Sequence, residues 1–171
     1  AGHRIFLGVR NPNAFKGQAL TQLQGVSVHP IAEAVAAAEV VLLAVPATAV
    51  IETAQALGDT TGKIIIDSMN IVMGRGPAGF RTTAEAILAH TASREVIKCF
   101  NTTGFNNMQK PDYQGQKLDL FMAGDSARGK KATEQLALDA GFGACYDVGG
   151  NDKFEMMEQF AWFWINLAMF A

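Results

Sequence analysis

Four apolar runs in this sequence each end in small or hydrogen-bonding residues. Val9-Arg10-Asn11-Pro12 closes the run from Arg4, and Pro46-Ala47-Thr48 follows Val40 to Val45. Ser68-Met69-Asn70 follows Lys63 to Asp67, and Asn101-Thr102-Thr103-Gly104 follows Val96 to Phe100. Ligands of open parallel sheets bind beyond the carboxyl ends of the strands. Polar residues gathered at one such edge are therefore what a nucleotide site needs. The same residue types also favour ordinary turns. Arg10 is the most informative single residue. An acidic side chain at the end of such a strand binds ribose hydroxyls, whereas an arginine's planar fork pairs with the oxygens of a 2′-phosphate. Taken alone, Arg10 reads better as a solvated surface arginine.

One spelling match is set aside. Gly74-Arg75-Gly76-Pro77-Ala78-Gly79 fits GxGxxG, but in the true fingerprint the first glycine follows a strand directly and the helix opens within the motif. Here the strand ends near Asp67 and the best helix start is Thr82. The segment reads as a flexible loop near a substrate. No catalytic residue and no metal ligand set stands out: Cys99 and Cys145 read as reduced, buried thiols, and His3, His29 and His90 are far apart.

The elements that must position these residues alternate. Strand-like runs are Arg4 to Val9, Val26 to His29, Val40 to Val45 (apolar throughout, as for a strand buried on both faces), Lys63 to Asp67, Val96 to Phe100, Leu118 to Ala123 and Ala144 to Val148. Helical segments are expected from the Asn11-Pro12-Asn13 turn to about Gln24, over Ile31 to Glu39, Thr48 to Leu57, Ala127 to Ala140, and from Asp152 to the end. Thr82-Thr83-Ala84-Glu85 resembles a capping box opening a helix to about His90. Asn70 to Arg81 is a glycine-rich loop, and Asn101 to Gln116 a long polar connection. This alternation predicts an α/β, doubly wound, mainly parallel sheet with a long C-terminal helix, in a single domain over 1–171. The C-terminal helix has two apolar stripes. Phe154, Met157, Ala161, Ile165 and Ala168 form one; Phe160, Phe163, Leu167 and Phe170 form the other. One sheet edge covers only one stripe, so the second is expected to meet another subunit, giving a homodimer.

The 171 residues are 49% hydrophobic and 18% charged, with a net charge of −2, a globular balance. Nothing suggests a nucleic-acid surface or a polybasic membrane patch. The N-terminus is not a basic segment leading into an apolar run, and the apolar stretch from Phe160 is too short to span a bilayer unaided, so a cytoplasmic protein without membrane contact is expected.

These segments together resemble the NADP-dependent oxidoreductases related to deazaflavin-coenzyme reductases, a Rossmann-type family. The carriers are Arg4 to Pro12, Leu43-Ala44-Val45-Pro46, Ile66-Asp67-Ser68-Met69-Asn70, Val96 to Gly104, Leu120-Phe121-Met122-Ala123-Gly124-Asp125 and Asp147-Val148-Gly149-Gly150. The resemblance covers nearly the whole chain and implies NADP as cofactor. Arg10, with the backbone around Val9 and Asn11, would hold the 2′-phosphate. Ala44, Val45 and Pro46 would line the ribose and pyrophosphate. Met69 and Asn70 would lie near the nicotinamide ribose, and Asn101, Thr102 and Thr103 would face the nicotinamide. The family usually has serine or threonine at Val9 and often lysine near Ala14; here Lys16 is close. The cytosolic domains of membrane metalloreductases share the plan, so the acceptor is implied only as a flavin, a deazaflavin or another small redox partner.

The family's first strand and phosphate-binding GxGxxG loop would precede Ala1, and its last helix usually continues past Ala171. In the strand order 3-2-1-4-5 the run from Arg4 is strand 2 and that from Val40 is strand 4. A preceding segment is therefore expected to supply the central strand; without it these two stand two strand spacings apart or pair directly. The leading expectation is hydride transfer between NADP(H) and a small acceptor. The alternatives are a non-catalytic dinucleotide-binding or oligomerisation module and an inactive truncated core.

Overall fold

The computed structural model describes residues 2–170; Ala1, Ala171 and the Phe170 side chain lie outside the described residues. Five strands form the main sheet in the order β3-β4-β5-β8-β9: Val40–Leu43, Ile64–Asp67, Glu95–Cys99, Leu120–Ala123 and Cys145–Asp147. A separate two-stranded sheet joins β1 (Ile5–Val9) to β2 (Val26–Pro30) in parallel. Strands β1 and β3 do not pair with each other.

The β4 run Ile64-Ile65-Ile66-Asp67 is wholly buried and its side chains alternate between two cores. Ile65, with Val41, Leu43 and Val96, packs beneath α2 (Val50–Ala56), α3 (Thr83–His90) and the first turns of α6 (Phe154–Phe170). Ile64 and Ile66, with Ile97 and Cys99, pack beneath α5 (Ala127–Asp139). The strand at Val40 departs from the two-sided burial its apolar run suggests. Leu42 is 49% exposed, because none of the described elements covers that face at the β3 edge. Helix α1 (Ile31–Ala37) carries the β1–β2 pair. Gly8 lets it approach closely, since a Cβ there would lie 3.2 Å from the Ala34 Cβ. Val35 of α1 reaches the main core, and the Lys63 ammonium donates to the Ala36 and Ala38 carbonyls at the helix end.

Two expected segments form differently. The helix to Gln24 is instead two 3-10 turns, Pro12–Ala14 and Gln18–Gln22. Gly17 separates them, and the Phe15 ring fills the space where its Cβ would stand. The polar connection after Phe100 contains α4 (Phe105–Gln109) and a hairpin of β6 (Asp112–Tyr113) and β7 (Gln116–Lys117). Gln114 and Gly115, both at positive φ, close its two-residue turn. Since no long helix crosses back over the sheet in this connection, β8 returns antiparallel to β5, while the other pairs in both larger sheets are parallel.

The expected capping box is present. Thr82 Oγ1 accepts from the Glu85 N–H at 3.1 Å, and the Glu85 carboxylate accepts from the Thr82 N–H at 3.2 Å. Thr82→Ala should cost about 1 kcal/mol. A lower urea midpoint with unchanged slope is the expected readout; an unchanged midpoint would show that later contacts hold α3 in place.

Candidate functional site

Parallel register brings three strand ends into one row, with Leu43 beside Asp67 and Asp67 beside Lys98. The segments Ala44 to Pro46, Ser68 to Asn70 and Asn101 to Thr103 therefore leave the sheet at one edge, as expected from the sequence. A cavity of about 290 Å³ opens there, walled by Pro46, Ala47, Thr48, Asn70, Val72, Met73 and Arg75. The glycine-rich loop supplies the last four, and it is held in a tight turn by a bridge between Val72 and Arg75 and by the positive φ of Met73 and Gly74.

Two asparagines lock the inner end of this edge. The Asn70 amide donates to the Asn101 carbonyl at 2.7 Å, and the Asn101 amide donates to Asn70 Oδ1 at 2.9 Å and to the Met157 carbonyl at 3.1 Å. Both Asn101 amide protons point at oxygens, so the orientation of the group is set by its partners. Its Oδ1 is buried without a partner among the described residues. Phe100, just before it, holds φ +64° and is buried. For a bulky residue that backbone is strained and persists only where surrounding packing enforces it. Thr102 and Thr103 are half-buried, and Thr103 Oγ1 accepts from the Asn107 amide at 3.0 Å, which in turn accepts from the Tyr113 hydroxyl at 2.6 Å. Met69 turns its side chain into the core, leaving only its backbone at the edge. Val9 ends β1 and Arg10 and Asn11 follow it, and none of the three walls this cavity. Asn11 caps the following turn through the Asn13 N–H. Arg10 is exposed, and its guanidinium has no ion-pair or hydrogen-bond partner among the described residues.

Sequence reasoning missed the buried charges behind the edge. Lys98 is 0% exposed; its ammonium donates to Asp67 Oδ2 and the Met69 carbonyl, each at 2.9 Å, and to Thr83 Oγ1 at 3.2 Å, and it stands 2.9 Å from Glu158 Oε1 as an ion pair. Thr83 Oγ1 joins them, donating to Asp67 Oδ2 at 2.6 Å. The available signal was a lysine inside the apolar run Val96 to Phe100. Burial pushes the Lys98 pKa down, but the attraction of Asp67 and Glu158 and their hydrogen bonds outweigh it, so the pKa stands above its ordinary 10.5. Cys99 and Cys145 are free buried thiols with sulfurs 3.7 Å apart. Among the described residues no cluster of histidine, cysteine and carboxylate side chains could hold a metal ion, and no helix is long and apolar enough to cross a membrane.

The sheet, its covering helices and the site at the strand ends define a Rossmann-like α/β protein. Residues 1–71 match the family model of NADP oxidoreductases that are coenzyme F420-dependent, which supports a relationship to that family. The chain is similar to a protein from Arthrobacter sp. FB24 described as an F420-dependent NADP reductase. The two share 25% identity and a TM-score of 0.83, over 97% of this chain and 83% of that one. A hypothetical protein from Sinorhizobium meliloti is 24% identical with a TM-score of 0.71, over 85% and 73% of the two chains. An imine reductase from Pseudomonas sp. shares the fold at 14% identity and a TM-score of 0.70, over 98% of this chain and 55% of that one. No curated protein matches the sequence.

The raised pKa has a consequence for stability. Charged Lys98 favours the folded state fully below its unfolded pKa near 10.5, and that contribution fades as pH rises through the higher folded value. Lys98→Met should lose about 3–5 kcal/mol at neutral pH, because two buried carboxylates are left without their cation. Urea titrations from pH 7 to 12 should show the two proteins converging at the alkaline end; a constant difference would mean that Lys98 acts through packing alone.

Proposed function

We propose that the chain is the nucleotide-binding part of an oxidoreductase that passes a hydride between NADP(H) and a flavin, a deazaflavin or another small acceptor. The family relationship supports NADP(H) as cofactor. The observation that carries the reading is Arg10, exposed and without a partner among the described residues at the carboxyl end of β1, inside the stretch that matches the family. A guanidinium left free at that point suits a phosphate on the adenosine ribose.

The residues present fit such a cofactor. Arg10 and the backbone of Val9 and Asn11 would hold the 2′-phosphate, and Ala44, Val45 and Pro46 would line the ribose and pyrophosphate. Met69, through its backbone, and Asn70 would stand at the nicotinamide ribose, with Asn101, Thr102 and Thr103 toward the ring. The buried, unpartnered Oδ1 of Asn101 is an acceptor suited to an amide N–H. The bound nicotinamide supplies the hydride chemistry. The protein's part is orientation, and hydride transfer between two held rings needs no acid–base pair from the chain. A cytoplasmic location goes with this reading.

A homodimer is part of the same proposal. The first stripe of α6 is buried at Phe154, Met157 and Ala161, while Phe160, Phe163 and Leu167 of the second stripe stay exposed, Phe163 by 63%. Around a two-fold axis such a stripe meets its own copy, and each helix buries the other's phenylalanines. This face is also the observation that favours the second reading, an oligomerisation module that binds a dinucleotide without turnover.

Arg10→Ala should weaken NADP binding roughly tenfold to a hundredfold while leaving NAD binding nearly unchanged. Calorimetric titration of both cofactors checks this, and an equal loss for the two would remove the 2′-phosphate assignment. Phe163→Glu should shift the protein toward monomer in sedimentation. A monomer at micromolar concentration before any substitution would rule the dimer out.

A further inference from the structure

The segment from Met69 to Ile71 forms part of the site wall, and buried side chains hold its backbone. The Met69 N–H donates to Asp67 Oδ1 at 2.9 Å, and its carbonyl accepts from the Lys98 ammonium at 2.9 Å. The Ile71 N–H donates to Glu158 Oε2 at 2.8 Å. Between these anchors lies Asn70, which borders the cavity and shares two hydrogen bonds with Asn101. Lys98 and Glu158 are joined to each other at 2.9 Å, and Glu158 is only 7% exposed. One ion cluster thus fixes the segment on both sides of Asn70 and ties it to β5 and α6.

A cluster of this kind is a poor way to gain stability alone. Desolvating three charges costs several kcal/mol per ion, and well-packed apolar residues in their place are often neutral or stabilising. Here the charged groups meet backbone atoms that no strand or helix satisfies. The three ammonium protons are taken up by Asp67, Met69 and Thr83, with Glu158 as a further ion partner, so Lys98 has none left for a substrate. We propose that Lys98 and Glu158 are positioning residues that hold the Asn70–Asn101 pair where it receives the nicotinamide end of bound NADP(H). The proposal rests on the cofactor reading above. Neither residue touches the cofactor; both act through the backbone of Met69 and Ile71. Because Asn101 also donates to the Met157 carbonyl, α6 bears on the pair from two consecutive residues.

The test separates the two ends of the cofactor. NADPH binding is measured by its fluorescence, and binding of adenosine 2′,5′-bisphosphate, which carries only the adenosine half, by calorimetry. Lys98→Met and Glu158→Gln should each weaken NADPH binding roughly tenfold, the worth of about one hydrogen bond, and leave the bisphosphate affinity unchanged. Glu158→Gln leaves Lys98 and Asp67 as a balanced pair, so it decides the matter alone if Lys98→Met does not fold. In that variant the amide oxygen serves either Ile71 or Lys98 but not both with its former geometry. Unchanged NADPH affinity in Glu158→Gln, or an equal loss for both ligands, would overturn the positioning role. A wild-type chain that binds the bisphosphate and NADPH equally poorly would overturn the cofactor reading itself, and this proposal with it.

Discussion

Lys98 is the point through which the structure is tied together. A buried ammonium is tolerable only where every proton finds an oxygen and the nearby negative charge is sufficient. Asp67 at the end of β4 and Glu158 on α6 supply that charge, while Thr83 at the start of α3 bonds both carboxylates at 2.6 and 3.2 Å. Four elements must therefore meet at one place with hydrogen-bond accuracy. A slip of β4 against β5 by one residue would turn Lys98 or Asp67 to the opposite face of the sheet. Apolar packing alone specifies register less sharply on β4, which is buried on both faces, because a one-residue shift there exchanges one isoleucine for another.

This constraint reaches the site through the backbone. With Met69 and Ile71 fixed, Asn70 has little freedom, and Asn101 is fixed in turn by Asn70 and by the Met157 carbonyl. The strained turn at Phe100 brings Asn101 back under the strand ends instead of letting β5 run on. Strain of that kind persists only against a rigid surround, and the Phe100 ring, packed edge-on against Phe142, provides part of it.

Arg10 depends on a different support. It sits on the β1–β2 pair, which shares no strand hydrogen bonds with the main sheet. Its position relative to the asparagines follows from α1, whose Val35 enters the main core and whose last carbonyls take the Lys63 ammonium. The two ends of the proposed cofactor site thus rest on two sheets, coupled through one short helix and, ahead of β1, through the 2.7 Å contact of His3 with Asp139 of α5. Helix α6 works in two directions as well: one stripe closes the core and touches the site, and the other faces outward.

Much of the architecture was legible from the residues. Alternating apolar runs and helical spacing gave the α/β order. The capping box at Thr82 stands where Thr82 and Glu85 place it, and the polar residues after Val40 to Val45, Lys63 to Asp67 and Val96 to Phe100 do leave at one edge. These are local properties, set by spacing within one element and by the rule that parallel strands end together. Two local patterns misled. Gly17 broke an expected helix, because a short polar stretch carries little helical preference against a glycine beside an aromatic ring. Leu42 is exposed although its run is apolar throughout, because burial depends on what lies across the face. The charge cluster was out of reach for the same reason. Asp67, Thr83, Lys98 and Glu158 span 92 positions of the chain, and no spacing relates them. Only the packing of α3 and α6 onto the ends of β4 and β5 decides that these four side chains share one buried volume, and so that Lys98 is held there as a charge.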